Sequence, residues 1–227
     1  MMDIVLMGPP GVGKGTQAVG LAQRLGLAHL ASGDLFRAHI GGRTELGLKA
    51  KAFVDRGALV PDDLVTDMVL DRMLAPDVDG ALLDGYPRTL GQAGDLPGRL
   101  TPSGRRIDAV VLLTAPASML LRRIVGRQAC PICGEGSNEY FQPTRIDGVC
   151  DVCGAEVQSR SDDNLQTAHH RLSVYEEQTQ PLADFYRSAG VLVEVDGSGD
   201  PADVGERIGT ALAAELGLFT KLPVRNP

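Results

Sequence analysis

The run Gly8-Pro9-Pro10-Gly11-Val12-Gly13-Lys14-Gly15-Thr16-Gln17 follows the apolar segment Ile4 to Met7 and leads into a helical pattern. A short buried strand, a glycine-rich turn and a helix start in that order build a phosphate cradle. The glycines let backbone N–H groups point inward with no Cβ in the way, and the positive end of the helix faces the same space. Gly11, Gly13, Lys14, Gly15 and Thr16 are therefore candidate phosphate contacts, with Lys14 reaching the outer phosphates of a nucleotide. The general motif has Ser or Thr directly after the Lys, whereas here Gly15 intervenes before Thr16. A glycine-rich turn without a ligand would need neither the Lys nor the flanking strand and helix.

The rest of the chain continues the alternation. Val19, Leu21, Ala22 and Leu25 carry the first helix to Gly26, and a second short strand follows at 28–31. Ser32 is placed as the N-cap of a helical segment that runs to Val60 and is broken at Gly41-Gly42 and Gly57. Pro61-Asp62-Asp63 opens a helix to about Leu74. Strands are expected at 81–84, 110–113 and 191–195, with helices at 117–125 and from Pro201 to about Leu216. Five strands separated by helices predict an α/β fold, a doubly wound parallel sheet of the P-loop NTPase type with helices on both faces. The tail after Leu218 is expected to be loosely held.

The net charge of −7 gives no general attraction to nucleic acid or to an anionic membrane surface, so a phosphate ligand must be met by placed cations. No apolar run reaches the length of a membrane span, and Asp3 and the glycine-rich loop interrupt anything like a signal peptide. The expected setting is the cytoplasm.

Between Gly126 and Asp163 the apolar periodicity stops and all four cysteines of the chain occur. Cys130-Pro131-Ile132-Cys133 and Cys150-Asp151-Val152-Cys153 are two knuckles sixteen residues apart. Two such turns close a tetrahedral four-thiolate zinc site, which leaves no coordination position for substrate and is structural. A nucleic-acid-binding ribbon would need basic residues. From Cys130 to Cys153 only Arg145 is basic, against Glu135, Glu139, Asp147 and Asp151.

Six arginines, Arg37, Arg88, Arg123, Arg127, Arg160 and Arg171, lie at ends of the expected elements; Arg24, Arg72, Arg99, Arg105, Arg106, Arg122 and Arg207 read as solvated surface residues. Each of the six sits in a stretch that resembles the adenylate kinase family. The stretches are Ser32-Gly33-Asp34-Leu35-Phe36-Arg37, then Leu83-Asp84-Gly85-Tyr86-Pro87-Arg88-Thr89 with Gln92, then Arg123-Ile124-Val125-Gly126-Arg127, and Arg160-Ser161-Asp162-Asp163 with Arg171. Together with Gly-x-Pro-Gly-x-Gly-Lys-Gly-Thr-Gln, the resemblance covers nearly the whole chain in order, and its lid is of the long, zinc-bearing kind.

The resemblance implies reversible transfer of the terminal phosphoryl group of Mg·ATP to AMP, giving two ADP, with Mg²⁺ and structural zinc as cofactors and a monomeric chain. It implies ATP contacts from Gly11, Gly13, Lys14, Gly15, Thr16, Arg123 and Arg127. It implies AMP contacts from Ser32, Arg37, Ala58, Val60, Gly85, Arg88, Gln92, Arg160 and Arg171, with Gln92 reading the adenine. Lys14, Arg88, Arg123, Arg160 and Arg171 would stabilise the moving phosphoryl group, and Asp84 would hold the waters of Mg²⁺. Asp162 and Asp163 are expected to pair with lid arginines. Phe36, Phe53 and Val60 are core or adenine-pocket wall, two readings the sequence does not separate.

The implied organisation is a core of 1–30, 61–126 and 164–227, an AMP-side insert of 31–60 and a zinc-bearing lid of 127–163. The inserts would fold over the substrates, with Gly126 and the glycines near Val60 as candidate hinges and lid opening as the slow step. Long lids carry Tyr-His where this chain has Ser137-Asn138, with Tyr140-Phe141 just beyond. The competing readings are a kinase for another nucleoside monophosphate, UMP or CMP, or one that uses GTP as donor, and a nucleotide-dependent switch or zinc-ribbon nucleic-acid binder.

Overall fold

A computed structural model describes residues 1–54, 60–159 and 163–217. Gly57, Ala58, Arg160, Ser161, Asp162 and the tail after Leu218 lie outside the described residues. The element order begins β1 (Asp3–Met7), α1 (Lys14–Leu25), β2 (Ala28–Ala31), α2 (Ser32–Gly41), α3 (Glu45–Val54), α4 (Asp62–Met73), β3 (Ala81–Asp84) and α5 (Leu90–Leu100). It continues β4 (Ala109–Thr114), α6 (Ala117–Val125), β5 (Arg127–Ala129), β6 (Gly136–Asn138), α7 (Leu165–Val174), α8 (Leu182–Ser188), β7 (Leu192–Asp196) and α9 (Pro201–Glu215).

β1, β2, β3, β4 and β7 form one parallel sheet in the order β2-β3-β1-β4-β7. The central strand β1 is buried over its whole length, as a strand covered on both faces requires. Its side chains alternate between two cores. Val5 and Met7 join Leu83, Val110 and Leu112 under Met73, Leu96, Leu100, Leu182 and Tyr186 from α4, α5 and α8. Ile4 and Leu6 join Leu82, Val111 and Leu113 under Leu21, Leu120, Ile208 and Leu212 from α1, α6 and α9. Burial of each such side chain stabilises the fold by about 1.5–3 kcal/mol, so both helical layers are held by the apolar alternation of the strands. The chain leaves β1 toward β2 on one side and later crosses to β4 on the other. That reversal puts a crevice at the carboxyl end of β1, where an open α/β sheet binds its ligands.

At the opposite end of the sheet the expectation for Arg105 fails. It is buried rather than solvated, and its guanidinium is paired with the buried Asp3 carboxylate, with Nε 2.9 Å from Oδ2. The same guanidinium donates to the Met73 and Val78 carbonyls, and Asp3 Oδ1 also accepts from Ala81 N–H at 2.9 Å. These bonds tie the start of β1 to β3 and to the end of α4. Removing one partner would leave an unpaired buried charge, at a cost of about 3–5 kcal/mol. A second correction concerns Ser32: Ala31 occupies the N-cap of α2, and Ser32 is its first helical residue.

Candidate active site

β1 ends at Met7 and the loop to Lys14 turns through three glycines with positive φ, Gly8 (146°), Gly11 (82°) and Gly13 (104°). Close packing also demands glycine at two of them. A Cβ on Gly8 would lie 2.6 Å from the Leu113 carbonyl oxygen, and one on Gly11 would lie 2.8 Å from Ile124 Cγ1 and from the Leu120 oxygen. At Gly13 and Gly15 a Cβ would meet nothing within 4 Å, so these two face the open side of the cradle. Lys14 opens α1 and folds back over the loop, its Nζ donating to the Gly8 and Pro9 carbonyls at 2.7 and 3.0 Å.

Burial, opposed by the Asp84 carboxylate and reinforced by Arg88, Arg171 and Arg127, brings the Lys14 ammonium down to about 8. Lys14, Arg88, Arg127, Arg171 and Asp84 thus lie close enough for their charges to act on one another. Asp84 ends β3, and its Oδ2 lies 3.4 Å from Nε2 of His29 on the neighbouring strand β2.

Arg88 follows the cis Tyr86-Pro87 bond, and its Nε donates to the Gly85 carbonyl at 2.6 Å. Ser32 Oγ donates to that carbonyl at 2.8 Å and lies 3.3 Å from Arg88 Nη2, so Ser32, Gly85 and Arg88 form one cluster. Partial desolvation by the surrounding protein holds the Arg88 guanidinium below its ordinary range, with Asp84 opposing, although the side chain remains open to solvent. The Arg88 backbone is held at both ends: Gln92 Oε1 accepts from its N–H at 2.7 Å, and Thr179 Oγ1 donates to its carbonyl at 3.0 Å. Thr179 lies in a π-helical turn, 175–179, between α7 and α8. Such turns recur at functional sites, and no local signal in the sequence marks this one.

Arg123, in the last turn of α6, donates to the Val12 and Gly197 carbonyls at 3.1 and 3.0 Å, which fixes it against the phosphate loop. Arg127 makes a two-pronged pair with the buried Asp163 carboxylate, at 2.7 and 2.5 Å, and Arg171 Nη1 lies 3.6 Å from the same group. Asp163 therefore pairs with arginines, as expected, and holds two of them side by side. Arg37 is exposed and paired with Asp34 on its own helix. Val60 is half-buried just ahead of α4, as are Phe36 on α2 and Phe53 on α3.

Beyond Arg127 the β5–β6 hairpin carries the first knuckle. Cys130 N–H donates to the Glu135 carbonyl at 2.8 Å, and Gly134 N–H to the Cys130 carbonyl at 3.0 Å. The second knuckle repeats this with Cys150 to Ala155 at 2.8 Å and Gly154 to Cys150 at 2.9 Å. The four Sγ atoms lie within 4.8 Å of one another, with Cys130 and Cys153 3.3 Å apart and Cys133 and Cys150 3.5 Å apart. Tetrahedral Zn–S bonds of about 2.3 Å set sulfurs roughly 3.8 Å apart, so the donor set fits zinc. Among the described residues the buried apolar cluster here is Cys130, Cys150 and Val157 with Ala155 beside them, too little to hold the segment unaided.

The loop after the first knuckle departs from the pattern in a specific way. Asn138 Nδ2 donates to the Arg123 carbonyl at 2.9 Å, and its Oδ1 accepts from Tyr140 N–H at 3.0 Å. The Phe141 ring centre lies 5.5 Å from the Arg123 guanidinium, and Arg122 covers Tyr140 and Phe141 at 5.3 and 5.6 Å. Gly126 is needed for this packing, since a Cβ there would meet Tyr140 Cδ2 at 2.5 Å, while its φ of −83° suits any residue.

The adenylate kinase family profile matches residues 6–191, most of the chain. The chain belongs to the adenylate kinase family. It is 45% identical over 212 residues to the adenylate kinase of Carboxydothermus hydrogenoformans, covering 93% of this chain and 99% of that one. It is 48% identical over 197 residues to that of Desulforudis audaxviator, covering 86% and 92%. It is 46% identical over 212 residues to that of Desulfitobacterium hafniense, covering 93% and 98%. The activity is therefore ATP:AMP phosphoryl transfer, with Mg²⁺ accompanying ATP and the four-cysteine cluster suited to structural zinc. Among the described residues no helix is long and apolar enough to cross a membrane.

Proposed function

We propose that the cations around Asp84 are divided between two nucleotides. The glycine loop with Gly11, Gly13, Lys14, Gly15 and Thr16, together with Arg123 and Arg127, takes ATP. The cluster of Ser32, Gly85 and Arg88, with Gln92, Val60, Arg37 and Arg171, takes AMP. Ala58 and Arg160, outside the described residues, are assigned to the AMP side by their place in the family pattern. The supporting observation is that Lys14 is anchored on the phosphate loop, Arg88 in the cluster with Ser32 and Gly85, and Arg127 and Arg171 side by side on Asp163, all within electrostatic reach of Lys14.

In-line transfer between two phosphates needs no general base, because the acceptor oxygen is already ionised. What it needs is charge neutralisation in a fixed geometry. Planar guanidinium groups hold phosphate oxygens in pairs and keep their charge. Asp84, at the strand end beside the phosphate loop, would hold the waters of the Mg²⁺ that accompanies ATP, and that ion would neutralise the donor phosphates. Segments 31–60 and 127–163 act as the covers that exclude water, one over each nucleotide. The working form is a cytoplasmic monomer.

The division is tested by two charge-removing substitutions. Arg88→Gln is expected to raise KM for AMP at least tenfold with a much smaller change for ATP, and Arg127→Gln to do the reverse. Equal effects on both nucleotides in both variants would contradict the division.

A further inference from the structure

Gln92 lies in the first turn of α5 and is only 5% exposed. Its Oε1 accepts from the Arg88 backbone N–H at 2.7 Å, and its Nε2 donates to Asp62 Oδ1 at 2.8 Å. An amide can usually be turned end for end without penalty, but here the partners forbid it. A backbone N–H only donates and a carboxylate only accepts, so the reversed amide would set NH₂ against N–H and C=O against the carboxylate.

Asp62 is itself fixed. Its Oδ2 accepts from Thr89 Oγ1 at 2.6 Å, and that oxygen in turn accepts from Gln92 N–H at 3.1 Å as the cap of α5. A Cβ on Gly91 would come within 3.1 Å of Asp62 Oδ2, so the glycine leaves room for the carboxylate. The first turn of α5 has no acidic residue of its own, and Asp62 supplies the negative charge at its positive end.

We propose that Asp62 is a positioning residue that sets the polarity of the Gln92 amide and thereby selects the base of the acceptor nucleotide. With one N–H given to Asp62 and one lone pair given to Arg88, the amide keeps one donor and one acceptor. These complement a base edge offering an amino group beside an unprotonated ring nitrogen, as adenine does. They oppose an edge offering a carbonyl beside a ring N–H, as hypoxanthine and guanine do. The proposal rests on the reading that Gln92 contacts the acceptor base.

IMP isolates the effect, because it differs from AMP only at that edge. The measurement is kcat/KM for AMP and for IMP at saturating Mg·ATP in the wild type, Asp62→Asn and Gln92→Ala. Asn at position 62 can offer either a carbonyl or an NH₂ to Gln92, so the carboxylate's part of the constraint is lost while size is kept, and the Arg88 N–H alone opposes the reversed amide. The AMP:IMP ratio is expected to fall about tenfold in Asp62→Asn, chiefly through the KM of the acceptor.

A loss of equal factor for AMP and IMP would reduce Asp62 to a structural role and overturn the proposal. If Gln92→Ala leaves the KM for AMP unchanged, the reading of Gln92 itself fails. If Gln92→Ala raises that KM while Asp62→Asn keeps the ratio, only the proposal about Asp62 fails. A second measurement needs no variant at position 62. In the wild type, the Gln92 side-chain NH₂ should show one downfield, carboxylate-bonded proton by NMR, retained when AMP binds. Its loss on AMP binding would overturn the proposal.

Discussion

Lys14→Gln is expected to lower kcat by about a thousandfold, measured as ADP formation from Mg·ATP and AMP. The side chain is anchored by the Gly8 and Pro9 carbonyls and aimed along the cradle, so its charge acts where the phosphoryl group moves. Its titration supplies an independent signature. Burial, resisted by Asp84 and aided by Arg88, Arg171 and Arg127, leaves the group titrating at about 8. Below that pH the ammonium is charged; above it the proton is lost. Nucleotide phosphates favour the charged form and raise its pKa. ATP binding above pH 8 should therefore take up a proton, and affinity should fall as the pH rises through 8. Calorimetry at pH 9 in two buffers of different ionisation enthalpy measures that uptake. Its absence in the wild type, or its survival in Lys14→Gln, would contradict the assignment.

Removing the metal with a chelator, or replacing Cys150 with Ser, is expected to unfold the segment from Cys130 to Gln158 while leaving the five-stranded sheet intact. Structural zinc contributes on the order of 10–16 kcal/mol in isolated zinc-binding peptides, far more than the small apolar cluster of Cys130, Cys150 and Val157 supplies. Activity should fall at least tenfold, because the lid hairpin packs Phe141 on Arg123 and continues directly from Arg127. Hydrogen exchange resolved by segment provides the check. Protection should vanish at both knuckles and persist in β1, β3 and β4; unchanged protection at the knuckles would show that the metal is not what holds them.

The sheet was legible because each of its central strands is a short, continuous apolar run next to a turn or a helix start, as at Ile4 to Met7 and Val110 to Leu113. The phosphate loop and the two knuckles were legible for a similar reason, since their function needs particular residues at close spacing. What stayed hidden depends on partners distant in the chain. Arg105 reads as a surface residue until Asp3, 102 positions away, is seen to face it. The Thr179 contact to Arg88 spans 91 positions and the Asp62 contact to Gln92 spans 30.

α5 was obscured by its composition. Gly91, Gly94, Pro97 and Gly98 give it poor intrinsic propensity, and it forms because Ala93, Leu96 and Leu100 bury one face against the sheet. Local rules favour a hydroxyl such as that of Ser32 at the cap of α2, whereas the tertiary structure uses that hydroxyl on the Gly85 carbonyl.

The measurement that tests the whole account most directly is a coupled assay of ADP formation from Mg·ATP, with AMP, CMP, UMP and GMP supplied in turn as acceptor. The arrangement of Gln92, Arg88 and the phosphate loop predicts efficient turnover with AMP and at least a hundredfold lower kcat/KM with GMP and UMP. Comparable turnover with GMP, or no turnover with AMP, would contradict it.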